Sequence, residues 1–150
     1  MDINVLSREM AKERIPRKPE LMIGVLDSHS YFESNTPINP IPSDLRLDYL
    51  TYTFDDVPNP NSSPLWINNE ISDNIISDFI KYKDKIESLA VHCRAGISRS
   101  AAVAAALNDF FNLERFQDDF FRGIYDPKLE VYYSIIGAAK RKGIKVENIY

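Results

Sequence analysis

The sequence predicts an α/β fold with a central, mostly parallel sheet of about four to five strands, flanked by helices on both faces. Short apolar runs typical of buried strands alternate along the chain with amphipathic stretches at helical spacing. The chain has 150 residues, of which 44% are apolar and 27% charged, as in an ordinary globular protein. That length suits one domain with a full core, so residues 1–150 are expected to form a single domain.

Three strands are predicted in the first half of the chain. Two are the apolar runs at residues 3–7 and 21–27, and the third is the alternating, Tyr- and Thr-rich run at residues 45–54. A short helix is expected between the first two, over residues 8–14, because prolines follow it. Loops rich in Pro, Asn and Ser are predicted at residues 30–44 and 55–64, and the second is long enough to suggest a functional role.

The second half of the chain is predicted to be mostly helical. From Trp66 as far as Ile86, apolar residues recur at helical spacing opposite a polar face. A strand at residues 88–93 leads into an alanine-rich helix at residues 98–111, and a short helix is predicted at residues 115–124. The last helix is expected to have Asp126 as its N-cap, Pro127 as its first residue and Gly143 as its stop.

The overall composition excludes some classes of function. A net charge of −4 argues against a general nucleic-acid-binding protein, because backbone phosphates require a basic surface. One cysteine cannot form an internal disulfide, which fits a reducing compartment. The N-terminus has an early acidic residue and no long apolar run, and no stretch reaches the length of a membrane span. We therefore expect a soluble cytoplasmic protein with neither a nucleic acid nor a membrane as partner.

The stretch VHCRAGISRS, residues 91–100, contains the single cysteine of the chain. It runs from the C-terminal end of a predicted strand into the first turn of a predicted helix, which is where ligands bind in open α/β sheets. A loop that enters a helix presents free backbone N–H groups and the positive end of the helix dipole. Such a loop binds an anion, typically phosphate.

The side chains of this stretch suit nucleophilic chemistry on a phosphate. The dipole, the N–H groups and Arg99 favour the thiolate of Cys93, so we expect it to be ionised and nucleophilic at neutral pH. Arg99 has a planar fork that binds two oxygens of an oxyanion at once. Gly96 permits a backbone conformation that turns amides inwards, and Ser100 can donate a hydrogen bond to the sulfur as it leaves. The alternative, a buried core thiol, would leave this spacing unexplained.

The sequence HCRAGISRS matches the form HCxxGxxRS and resembles the signature of the cysteine-dependent protein phosphatases. Its Ala-Gly centre and Arg-Ser ending are similar to the dual-specificity branch, and especially to small phage and prokaryotic members. The resemblance implies a tyrosine phosphatase-like fold, a Cys93 nucleophile, loop support by hydrogen bonds from His92, and no metal or other cofactor. The residues that would bind phosphate are Arg94, Ala95, Gly96, Ile97, Ser98 and Arg99.

Cleavage of a phosphate ester by a thiolate also needs a neutral acid that protonates the leaving oxygen. The family that the motif resembles carries an aspartate for this purpose on a mobile loop after a strand, upstream of the cysteine. The form aromatic-x-Asp, with Phe54 in the aromatic place, favours Asp56, which lies 37 residues before Cys93. Asp55 is the alternative general acid. The adjacency of the two carboxylates is expected to raise the pKa of one of them.

The sequence thus predicts a protein phosphatase that acts on phosphotyrosine, and as a second class on phosphoserine or phosphothreonine, through a phosphocysteine intermediate. Its partner would be a phosphorylated protein. Two alternatives stay open. An RNA 5′-phosphate or phosphoinositide phosphatase is less favoured, because the loop contains no lysine and the chain is acidic. A phosphate-binding module with weak or no catalysis is the other.

Overall fold

The protein contains a four-stranded sheet in which every pair of neighbouring strands is parallel, in the order β1-β4-β2-β3. The computed structural model describes residues 1–29, 33–57, 63–113 and 125–144. The strands are β1 (Asp2–Leu6), β2 (Glu20–Leu26), β3 (Arg46–Thr53) and β4 (Ser88–His92). The predicted α/β class with a parallel sheet is confirmed.

Four helices accompany the sheet within the described residues. They are α1 (Arg8–Glu13), α2 (Asn69–Tyr82), α3 (Arg99–Phe111) and α4 (Leu129–Arg141), with a short 3-10 turn at Lys83–Lys85 after α2. Helix α2 begins later than the apolar pattern from Trp66 indicates, because the side chain of Asn68 caps it and accepts the N–H of Ile71 at 2.9 Å. The helix predicted at residues 115–124 lies outside the described residues.

The start of α4 differs from the prediction. Lys128, not Asp126, occupies the N-cap position, and its side chain makes no capping hydrogen bond. The backbone N–H groups of Asp126 and Lys128 instead donate to the carbonyls of Ile97 and Ser98, at 3.0 and 3.3 Å. These two bonds hold the segment against the loop before α3, so the helix begins only after Lys128.

Hydrophobic cores lie on both faces of the sheet, because alternate residues of each strand point to opposite sides. The larger core is shared with α2, α3 and α4 and includes Leu21 and Ile23 of β2. On the other face, Met22 packs with Ala11 of α1 and with Ile38. None of the helices in the described part of the chain has the length and apolar character needed to cross a membrane.

Helix α3 is buried along its whole length, with Asp109 as the one half-buried residue. Its run of alanines explains this, because short side chains let the helix backbone approach the sheet closely while keeping high helix propensity. Its first residue, Arg99, therefore has a fixed position beside the end of β4. The packing of α3 thus positions one of the candidate functional side chains.

Candidate active site

The candidate residues meet at the C-terminal edge of three neighbouring strands. Cys93 follows β4, Asp27 follows β2, and Asp55 and Asp56 come shortly after β3. Because β4, β2 and β3 are adjacent and parallel, their C-terminal ends lie side by side. The sheet thereby brings the cysteine loop next to a loop that is remote from it in sequence.

Cys93 is 3% exposed, and its sulfur has two polar neighbours. The Sγ atom accepts the backbone N–H of Gly96 at 3.2 Å and lies 3.1 Å from the Oγ of Ser100. When the sulfur is ionised, the serine hydroxyl is the donor of the second bond. Both neighbours can donate a hydrogen bond to the sulfur.

The loop after Cys93 has a conformation that glycine allows. Gly96 has a φ of +75°, and a Cβ added there would lie 2.5 Å from the backbone of Leu6 and Ser7. The N–H of Arg8 also donates to the carbonyl of Arg94 at 3.1 Å, so the chain between β1 and α1 supports the loop. The remaining loop residues predicted to bind phosphate are Arg94, Ala95 and Ile97, which are exposed, and Ser98, which is half-buried.

Arg99 is buried, with 4% of its surface exposed, and its guanidinium is held at one end. Nη1 donates to the carbonyl of Phe54 at 2.8 Å and pairs with Oδ1 of Asp27 at 2.7 Å. Its Nε is buried and has no hydrogen-bond partner among the described residues. A buried donor without a partner is rare, so this Nε is a candidate donor for a bound oxyanion.

His92 connects the loop after Cys93 to β3. Its Nε2 lies 2.8 Å from the hydroxyl of Tyr49, and its Nδ1 lies 3.4 Å from the carbonyl of Cys93. Burial lowers the pKa of His92 to about 4, so the ring is neutral at pH 7. We assign the Nδ1 hydrogen as donor to the Cys93 carbonyl and the Tyr49 hydroxyl as donor to Nε2, since that hydroxyl accepts the N–H of Ile38 at 3.3 Å.

Asp55 is an anchor between loops. It is 4% exposed, and its carboxylate accepts the N–H of Ser28 at 2.9 Å, the Oγ hydrogen of Ser28, and the N–H of Leu65 at 2.7 Å. Burial acts to raise the pKa of Asp55, but these hydrogen bonds and the charge of His29 bring it below its ordinary value. The rise in pKa expected for one of the two adjacent carboxylates is therefore not found at Asp55.

Asp56 lies against the loop after Cys93. Its Oδ1 accepts the hydroxyl of Ser98 at 3.2 Å and lies 3.9 Å from Nζ of Lys128. The side chain is 26% exposed, so solvent has access to it. Of the two adjacent aspartates, Asp56 is thus the one in contact with the loop that contains Cys93.

Two solved structures of PTPMT1 share this fold over nearly the whole chain. PTPMT1 in complex with PI(5)P matches with a TM-score of 0.50 at 15% identity, covering 93% of this chain and 91% of that one. A second PTPMT1 structure matches with a TM-score of 0.52 at 15% identity, covering 93% and 90%. No protein-family model and no curated protein matches the chain. The likeness confirms the predicted tyrosine phosphatase-like fold.

The structure adds residues to the site that sequence reasoning missed. Asp27 and Ser28 contact Arg99 and Asp55, and Tyr49 contacts His92. Asp27 ends a predicted strand, so its place at the C-terminal edge was a usable signal; Tyr49 carries no local signal, because only sheet register brings it to His92. The described residues contain no cluster of three His, Cys, Asp or Glu side chains able to hold a metal ion.

Proposed function

We propose that this chain is a cysteine-dependent phosphatase that hydrolyses phosphate monoesters, with phosphotyrosine in proteins as its first substrate class and phosphoserine or phosphothreonine as its second. The proposal rests on the environment of the Cys93 sulfur. It lies within hydrogen-bond distance of the Gly96 N–H and the Ser100 hydroxyl, in a loop that leads into the buried helix α3. The fold shared with PTPMT1 supports chemistry on a phosphate ester and does not distinguish between the substrate classes.

In the first step, the Cys93 thiolate attacks phosphorus and forms an S–P bond while the ester P–O bond breaks. Asp56 gives its proton to the leaving oxygen, so the alcohol or phenol departs neutral. Arg99 and the backbone N–H groups of residues 94–99 hold the remaining phosphoryl oxygens and the charge that develops on them. The product of this step is a phosphocysteine enzyme.

In the second step, a water molecule attacks the phosphocysteine. The Asp56 carboxylate takes a proton from the water as the new O–P bond forms and the S–P bond breaks. The Ser100 hydroxyl donates a hydrogen bond to the sulfur as it leaves as a thiolate, over the 3.1 Å that separates the two atoms. Inorganic phosphate is released, and Asp56 regains the proton it needs for the next cycle.

Hydrolysis of p-nitrophenyl phosphate by the purified protein tests this proposal. We expect turnover in the wild type, and acid quenching during turnover should trap a phosphoenzyme. Cys93→Ser should lose at least about a thousandfold in kcat, because the alternative nucleophile is far weaker. Full activity in Cys93→Ser would exclude a cysteine nucleophile. Phosphopeptide binding without turnover by the wild type would favour a phosphate-binding module instead.

A second candidate substrate class is the phosphoinositides, because the similar protein PTPMT1 has been crystallised with PI(5)P. The loop of this chain has one arginine besides Arg99, at Arg94, and no lysine. PI(5)P carries a phosphodiester besides the phosphomonoester to be cleaved, and the loop offers only Arg94 as a further positive charge, so we rank this class second. Phosphate release from PI(5)P in vesicles and from a phosphotyrosine peptide should be compared as kcat/KM. A higher value for PI(5)P would reverse the ranking.

A further inference from the structure

The Arg99 side chain is held by a carboxylate that the proposed mechanism does not use. Asp27 and Arg99 form an ion pair of 2.7 Å in which their side chains are 12% and 5% exposed. Oδ2 of Asp27 accepts the hydroxyl of Ser34, and its backbone N–H donates to the Ser34 carbonyl at 3.0 Å. Both carboxylate oxygens are therefore hydrogen-bonded, which a buried ion pair requires if it is not to destabilise the fold.

The contacts of Arg99 divide its guanidinium into two ends. Asp27 and the Phe54 carbonyl both bind Nη1, while Nε is buried and has no partner among the described residues. A guanidinium is planar and rigid, so fixing one nitrogen between two acceptors restricts the direction of the others. The side that Asp27 does not occupy keeps a donor for an oxyanion.

We propose that Asp27 is a positioning residue, which orients Arg99 so that its free N–H donors meet the oxyanion held over Cys93. This inference rests on the proposed function. Asp27 acts through Arg99 and does not touch the substrate. Precise orientation matters because bidentate binding by arginine depends on geometry as well as on charge.

A purely electrostatic role for Asp27 predicts the opposite behaviour. A carboxylate near an anion site repels the anion, so its removal would then tighten oxyanion binding. A positioning role predicts that removal weakens binding, even though the site becomes more positive. The sign of the change in affinity therefore separates the two roles, once the affinity is corrected for the folded fraction of each variant.

Calorimetric titration of the full-length protein with tungstate, a tetrahedral oxyanion, provides the test. Asp27→Ala should weaken tungstate binding at least about tenfold, because Nη1 keeps only the Phe54 carbonyl. Asp27→Asn should weaken it less, about threefold, because the amide oxygen can still accept from Nη1. Asp73→Ala removes a matched but half-exposed aspartate–arginine pair, with Arg141 at 2.9 Å, and should bind as the wild type does.

The background variant Arg99→Lys checks that Asp27 acts through the arginine. Lysine keeps the charge but lacks the fork, so Asp27→Ala and Asp27→Asn should have little further effect in it. If Asp27→Ala does not fold, the comparison of Asp27→Asn with the wild type decides the question by itself. Unchanged or tighter binding in the Asp27 variants, or equal losses in both backgrounds, would overturn the inference alone. Failure of the wild type to bind tungstate would overturn the proposed function as well.

Discussion

The two loops that meet at the candidate active site are built in different ways. The nucleophile loop, residues 93–98, is held at many points: Gly96 and Ser100 bond to the Cys93 sulfur, and two other segments of the chain donate backbone hydrogen bonds to its carbonyls. The acid loop after β3 is fixed by one buried residue, Asp55, while its neighbour Asp56 is partly exposed. An oxyanion site has to be rigid before substrate arrives, whereas a proton donor needs access to a leaving group. The burial of Cys93 and the partial exposure of Asp56 match these two requirements.

The largest expected effect comes from replacing the proposed acid, Asp56, and comparing it with its neighbour Asp55. Asp56→Asn should lower kcat about 10²–10⁴-fold and remove the basic limb of the pH–rate profile, because the leaving oxygen then departs without a proton. The effect should be smaller with p-nitrophenyl phosphate than with a phenyl phosphate, whose leaving group needs the proton more.

Asp55→Asn is the matched control for this measurement. Corrected for the folded fraction, it should keep the basic limb, because Asp55 is tied to Ser28 and Leu65 rather than to the nucleophile loop. Loss of the basic limb in Asp55→Asn alone would mean that the two roles are exchanged.

The rigidity of the nucleophile loop is tested by Gly96→Ala. The new Cβ would meet backbone atoms at 2.5 Å, at a residue whose φ is +75°. Overpacking and left-handed backbone strain together should cost about 3 kcal/mol of unfolding free energy, and the activity should fall with the distorted loop. Gly143→Ala is the control, since Gly143 has a φ of +71° but no atom of the described residues lies within 4 Å of the added Cβ. Urea denaturation of Gly143→Ala should show a loss of only about 1 kcal/mol of unfolding free energy. Equal losses in Gly96→Ala and Gly143→Ala would show that the contact of Gly96 with the end of β1 does not contribute to stability.

The contrast between local and long-range contacts explains what the sequence could predict. The strands were predicted well, and so was the position of the Cys93 loop between a strand and a helix. Both depend on local signals: hydrophobic patterns, and a motif whose members lie within eight residues of Cys93. The start of α4 was predicted wrongly, because long-range bonds to the carbonyls of Ile97 and Ser98 override the local capping preference of Asp126. The pairing of Asp27 with Arg99 depends on strand order, and even four strands can be arranged in several orders that local patterns do not distinguish.

The anchoring role of Asp55 predicts a pH-dependent stability. Hydrogen bonds hold the folded-state pKa of Asp55 below its ordinary value of 3.8, so its carboxylate stabilises the fold above that pH. The contribution is lost as the pH falls through the lower, folded-state pKa. Asp55→Asn should therefore lose about 2–3 kcal/mol at pH 6, and the gap to the wild type should narrow below about pH 4. Denaturant unfolding at several pH values measures this difference in unfolding free energy, with Asp73→Asn as a surface control. A gap that stays constant into acid would show that the charge of Asp55 is not what anchors the loop.

The smallest expected effect concerns the second chemical step within the nucleophile loop. Ser100→Ala removes the hydroxyl 3.1 Å from the Cys93 sulfur, so the thiolate leaves with one donor instead of two. Breakdown of the phosphocysteine should slow about tenfold, which corresponds to one hydrogen bond to a charged group. Formation of the intermediate should change much less, because the Gly96 N–H still supports the thiolate. Rapid mixing with p-nitrophenyl phosphate should therefore show a burst of p-nitrophenol that the wild type lacks or shows more weakly. Equal slowing of the burst and of the steady state would assign Ser100 to thiolate formation, and the nucleophile loop would then act mainly before attack rather than during release.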